Sequence, residues 1–183
     1  MKAVLISINP LWCELIGNGE KTIEVRKNRP KLKTPFKVFI YCTKAKTDGE
    51  YLWTAKSTTI GKMADVANGK VIGEFICDKV IEELPNPRYE KLLNGSCLDN
   101  DTLINYGKFG ILYGWHISNL KLYDVLKDLK EFYKECKGGC GNVCKHWRYI
   151  RVNADEYDMD CDGLIPITKP PQSWCYVEYY GAK

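Results

Sequence analysis

A chain of 183 residues, 45% hydrophobic and 27% charged, can build one full core but is too short for two ordinary domains. Its net charge of +4 is uneven: residues 1–70 hold thirteen Lys/Arg against six Asp/Glu, and the remainder fourteen against seventeen. The basic first part favours a polyanionic partner such as RNA or DNA. No apolar run approaches the ~20 residues of a membrane helix, and the N-terminus passes straight into the strand-like M-K-A-V-L-I-S-I, so no membrane partner and a soluble, cytoplasmic protein are expected.

In chain order, Val4, Ile6 and Ile8 alternate with Leu5 and Ser7, an apolar pattern that predicts an interior strand. Asn9 is a good N-cap and Pro10 a good first helical residue. Leu11, Trp12, Leu15 and Ile16 give that helix an apolar face, and Gly17 to Gly19 end it. The next stretch, G-E-K-T-I-E-V-R from Gly19 to Arg26, opens a strand with Ile23 and Val25 on one face and Thr22, Glu24 and Arg26 on the other. One face is expected to build core and the other to display an acid and a base, roughly 7 Å apart, with Lys21 over the same rim.

The spacing G-x-K-x-x-E-x-R resembles the signature of the activating signal cointegrator homology (ASCH) domain, of the PUA-like group. The opening strand and helix, Val71 to Val80 and Ser173 to Tyr180 fit the same resemblance. It implies an α+β fold, a small mixed β-barrel flanked by short helices, with a cleft at the motif. The proteins of that group are linked to RNA or modified nucleotides. One domain is expected over 1–183, with an insertion at about 44–70 and a cysteine-rich segment at about 134–163.

Between Arg26 and Lys37 lie six bases in twelve residues, with no acid and with Pro30 and Pro35 keeping the backbone extended. Lys27, Arg29, Lys31 and Lys33 are candidate nucleic-acid contacts; a solvated loop between strands is the plain alternative. A strand follows from Lys37 to Thr43. In the insertion, Tyr51 and Trp53 stand among Lys44, Lys46, Lys56 and Lys62. That interleaving suits single-stranded nucleic acid, or a segment pinned to the barrel by its aromatics.

Val71 to Val80 reads as a strand with a bulge or close backbone approach at Gly73, and Glu74 is placed facing the same cleft as Glu24. Short helices are expected at Pro87 to Leu93 and Thr102 to Tyr106. Gly110 to Leu122 reads as a strand containing a structural His116, and Leu126 to Tyr133 as an amphipathic helix. The final strand, Ser173 to Val177, is expected beside the first, closing the barrel.

Nine cysteines, an odd number without a secretory pattern, argue against a disulfide framework. Cys13, Cys42, Cys77 and Cys175 read as small buried hydrophobes. Cys136, Cys140 and Cys144 recur every four residues among glycines, and with Cys161 or His146 they could hold a structural zinc; a group of metal-free thiols is the alternative. Asp158, Asp160 and Asp162-Gly163 open like a calcium loop, but Lys169 stands where its closing glutamate belongs, so the run reads as an acidic loop.

Three functions fit these residues. The first is a binder of RNA or of a modified nucleotide, its cleft formed by Lys21, Glu24, Arg26, Tyr41 and Trp115. The carboxylate would accept from an exocyclic amine, an aromatic face would stack, and the two cations would hold phosphate. The second is a hydrolase, a ribonuclease or nucleoside amidohydrolase, in which Lys21 holds or deprotonates the nucleophile and Glu24 moves protons. Amidohydrolases of the resembled group place a threonine where this chain has Glu24, so their catalytic trio does not carry over whole. The third is a zinc-stabilised protein-interaction module.

Overall fold

The computed structural model describes residues 2–44, 66–136, 148–153, 156–160 and 163–178, with backbone alone for 148–153 and 156–160. Most of the expected insertion, and Cys140, Cys144, His146 and Cys161 of the proposed zinc set, lie outside the described residues.

The opening strand, β1 (Lys2–Ile8), is buried on both faces from Ala3 onward, as its unbroken apolar run requires. It pairs in parallel with β3 (Phe36–Cys42) on one side and antiparallel with β10 (Trp174–Glu178) on the other. The crossover from β1 to β3 carries helix α1 (Pro10–Gly17), whose N-cap Asn9 accepts a hydrogen bond from the Leu11 amide at 3.1 Å. The same crossover carries the short strand β2 (Ile23–Arg26), which pairs with β5 (Leu112–Lys127).

Strand β4 (Val71–Glu83) runs between β3 and β5, and its register slips beside Gly73, as the sequence predicts for a bulge. A β-carbon on Gly73 would come within 2.5 Å of the Lys121 carbonyl oxygen, so the close approach of β5 requires glycine there. Two short helices, α2 (Glu90–Ser96) and α3 (Asn100–Gly107), link β4 to β5. The Glu83 carboxylate accepts from the Lys91 and Leu92 amides at the start of α2.

The described strands form an open eight-stranded mixed sheet, ordered β2-β5-β4-β3-β1-β10-β6-β9, and a separate hairpin of β7 (Arg148–Asn153) and β8 (Glu156–Asp160). Strands β6 (Tyr133–Glu135) and β9 (Leu164–Pro166) are three residues each. The class is α+β as expected, but the sheet does not close into a barrel. Edge strand β2 is only four residues long and shares no ladder with β1; the Arg26 side chain bridges the two instead, and a second bond ties the loop after β2 to β10. The Arg26 Nη2 donates to the Ser7 carbonyl at 2.7 Å, and the Trp174 indole N–H donates to Asn28 Oδ1 at 2.7 Å.

Two further expectations change. The segment predicted as a helix over 126–133 is the end of β5, one 3₁₀ turn (Leu129–Glu131) and the start of β6. Asp128 and Glu131 form a reciprocal cap that serves a single turn, and cross-strand pairing takes the residues on either side. Asp158 and Asp160 sit in β8, paired with β7, so the acidic run is largely strand rather than loop.

Three apolar clusters result. The largest packs one face of β1, β3 and β4 against α1 and Trp115; a second lies on the opposite face around Leu5, Phe39 and Val177; a third joins Ile23 and Val25 to α2 and α3. Cys13, Cys42 and Cys77 are buried as expected, while Cys175 is partly exposed. Burial pushes the Cys77 thiol up to about 12.

Candidate functional site

The motif strand does not display Glu24 on an open face. With α1 on one side and α2–α3 on the other, Lys21 is 2% exposed and Glu24 6%, on the floor of a cleft of about 270 Å³. The local backbone explains why. Gly19 has a φ of +79°, which turns the chain out of α1, and the Thr22 amide donates to the Gly95 carbonyl at 2.8 Å. Gly95, at φ +90°, breaks α2 and abuts Thr22, where any β-carbon would collide with the hydroxyl. That break brings the Ser96 carbonyl to the Lys21 ammonium, 2.6 Å away.

From there the charges form a chain. Lys21 Nζ stands 3.5 Å from Glu24 Oε2, and Glu24 Oε1 stands 2.9 Å from Arg26 Nη2. Arg26 also reaches the Ser7 carbonyl and, at 3.5 Å, the Ser173 hydroxyl. Its Nε–H is buried and has no partner among the described residues, an arrangement that costs about 1–3 kcal/mol when a donor stays unsatisfied. The indole of Trp12 lies under the Lys21 ammonium at 5.1 Å. Burial pushes the Lys21 amine below the ordinary lysine value, and the Glu24 carboxylate pulls it part of the way back.

The mouth of the cleft is made by Thr102 and Tyr106, one turn apart on α3, facing Asn9 and Trp12 of the α1 side. Lys27, just outside, holds its ammonium 4.8 Å over the Tyr106 ring. Arg29, Lys31 and Lys33 are exposed on the loop that follows, which is anchored by packing of Leu32 on the core and by donation from the Lys31 amide to the Tyr176 hydroxyl.

The structure thus brings Lys21, Glu24 and Arg26 together and sets the basic loop beside them. It does not bring in the aromatics expected from sequence. Trp115 is 0% exposed, packed edge-on against Phe36 and Trp174, and Tyr41 lies in the second cluster on the far face of the sheet. Trp12 and Tyr106 line the cleft in their place. Trp12 reads in sequence as part of a helix's apolar face, which it also is. Tyr106 carries one signal, its position one turn after Thr102 in a polar short helix.

Glu74 also lies elsewhere. It pairs with Lys37 at 2.8 Å and accepts from the Tyr123 hydroxyl at 2.6 Å; although burial raises its carboxyl, these contacts hold it below the ordinary carboxylate value. His116 pairs with Asp78 at the surface, 2.7 Å apart. Among the described residues no group of His, Cys, Asp and Glu is placed to hold a metal; Cys136 is described, and the rest of the proposed zinc set falls outside. Among the same residues no helix is long and apolar enough to cross a membrane.

No family model matches the chain, and no curated protein matches its sequence. Solved structures do. A crystal structure of ASCH from Zymomonas mobilis, 14% identical, superposes with a TM-score of 0.56 over 96% of this chain and 87% of that one. A serine-to-alanine variant of that protein gives 0.56 at 15% identity, over 96% and 88%. A tyrosine-to-phenylalanine variant gives 0.50 at 15%, over 70% and 77%. At such identities the likeness speaks for architecture alone: the open mixed sheet, with its cleft beside the motif strand, is an ASCH-domain fold.

Proposed function

We propose that the protein binds single-stranded RNA, taking one base into the Lys21–Glu24–Arg26 cleft while the loop from Lys27 to Lys33 holds the flanking phosphates. The observation that carries this reading is the junction of a small, aromatic-flanked cleft with a charged floor and an exposed basic loop. At about 270 Å³ the cleft is near the lower end of small-molecule pockets, ~300–1,000 Å³, which suits a nucleobase or nucleoside. Trp12 and Tyr106 offer ring faces, and Glu24 offers an acceptor for an exocyclic amine. Lys27, Arg29, Lys31 and Lys33 form no ion pair among the described residues, so their charge is available to phosphate. Binding of fluorescent oligonucleotides by wild type and by Tyr106→Ala tests the reading. Loss of about tenfold or more is expected from one lost stack; unchanged affinity for RNA would overturn it.

A second reading, hydrolysis at the same cleft, draws on Lys21. An amine lowered by burial has a larger neutral fraction, can accept a proton from water or a hydroxyl, and has Glu24 3.5 Å away to share it. Incubation with RNA and with acylated nucleosides separates the two. Under the hydrolytic reading Glu24→Gln lowers turnover by ~10² to 10⁴ with binding largely kept. Absence of turnover by wild type leaves the binder.

A further inference from the structure

On the same side of the molecule as the basic loop lies a larger groove, about 670 Å³, along β10. We infer that this groove is a second subsite for single-stranded RNA, continuing the strand whose base occupies the cleft; the inference rests on the binding reading above. Four observations support it.

First, cleft and groove are consecutive. Arg26 in the cleft reaches Ser173, the next residue is Trp174 in the groove, and β10 then runs antiparallel to β1 until Glu178 stands opposite Lys2. The five residues Trp174–Glu178 span ~17 Å of strand, enough for two or three nucleotides. Second, the basic loop is fastened to the groove's own aromatics: Asn28 accepts from the Trp174 indole, and the Lys31 amide donates to the Tyr176 hydroxyl. Phosphates leaving the cleft would therefore pass Lys27 to Lys33 on their way to Trp174 and Tyr176.

Third, the groove holds what a stacked strand uses. Trp174 and Tyr176 are partly exposed, two apart on one face, with ring centroids 5.4 Å from each other. Lys2 and Lys134 line the walls together with Glu135 and Glu178. Lys2, whose side chain is 44% exposed, rests 5.2 Å over the Tyr176 ring and 3.5 Å from Glu135, weak contacts that a phosphate can displace. Fourth, β10 meets β6 at one residue pair, Glu178 and Tyr133. The outer edge of Trp174–Val177 thus has no ladder partner among the described residues, although Lys134 and Glu135 of β6 stand across the groove, and its backbone can face base edges. The same edge would suit an extended peptide, but the adjoining run of bases favours the polyanion.

The experiment uses the full chain with fluorescent oligocytidylates of two, four and eight nucleotides, whose bases carry an exocyclic amine for Glu24, across a salt series. For wild type, affinity should rise about tenfold or more from two to eight nucleotides, the gain of further stacks and phosphate contacts. The double variant Lys2→Glu/Lys134→Glu should keep dinucleotide binding within twofold, which also reports an intact fold. It should lose most of the length gain and flatten the octanucleotide's log–log salt slope by about 1.4, two single-strand phosphate contacts. Tyr176→Leu, which keeps apolar bulk, should lower octanucleotide affinity alone. A length gain undiminished in these variants overturns the groove, as does an extended peptide that binds it while the octanucleotide does not. Failure of the cleft reading looks different: dinucleotides then do not bind, or bind indifferently to Tyr106→Ala.

Discussion

Two sets of cations lie within a dozen residues of each other and obey opposite rules. Lys21 and Arg26 sit on the cleft floor, nearly out of water, each with several partners; Lys27, Arg29, Lys31 and Lys33 are exposed on the neighbouring loop. The buried set is tied to folding, because a charge without water must be matched by another charge or a carbonyl. The exposed set contributes little to stability and is free to meet a ligand. Similar side chains therefore serve as structure in one place and as surface in the other, and the comparison can be attacked from either side.

The largest effect is expected at Glu24. Glu24→Ala leaves two buried cations without their shared anion and should destabilise the protein by about 3 kcal/mol, measured by urea unfolding. Glu24→Gln keeps the shape and one acceptor, and should cost about 1–2 kcal/mol. If Glu24→Ala costs less than ~0.5 kcal/mol, the floor behaves like a surface pair and the contrast fails.

Next comes a pH dependence. Burial places the folded Lys21 pKa below its ordinary value of 10.5, so in the window between the two the unfolded chain binds more protons. Stability from this group therefore rises with pH through that alkaline window, and is lowest where Lys21 is charged in both states. Against Lys21→Met, wild type should gain relative stability as pH climbs toward 10.5; a parallel pair of pH–stability curves would contradict the direction.

The smallest stability effect belongs to the loop. Lys31→Glu/Lys33→Glu should change unfolding free energy by no more than ~0.5 kcal/mol. The same variant should lower the RNA affinity and flatten its salt dependence by about one to two in log–log slope. A large loss of stability would place these lysines with the floor rather than with the loop.

Much of this was legible in the residues. The first strand and helix, the motif strand, the bulge at Gly73 and the last strand itself all follow from local patterns, which the tertiary structure leaves intact. The motif spacing places Glu24 beside Lys21 and Arg26, but it carries no sign of the burial of Glu24, because strand alternation tells which residues share a face and not what covers that face. The cover comes from α2 and α3, some seventy residues on. Trp115 and Tyr41 misled for a related reason: an aromatic in a strand looks the same whether its sheet face meets solvent or core. Closure of the sheet depended on whether β2 and β1 pair, and no periodicity reports that.

The bridge from Arg26 to the Ser7 carbonyl has a consequence for how this cleft can change over time. One guanidinium both faces the cleft and joins two strands that lack a backbone ladder, so a substitution that retunes ligand preference also loosens the seam. Drift at position 26 is constrained twice over, whereas Thr102 and Tyr106 touch the cleft from an exposed helix face and join no strands to one another. New specificities on this scaffold should therefore arise at the α3 rim, with the charged floor left as it is.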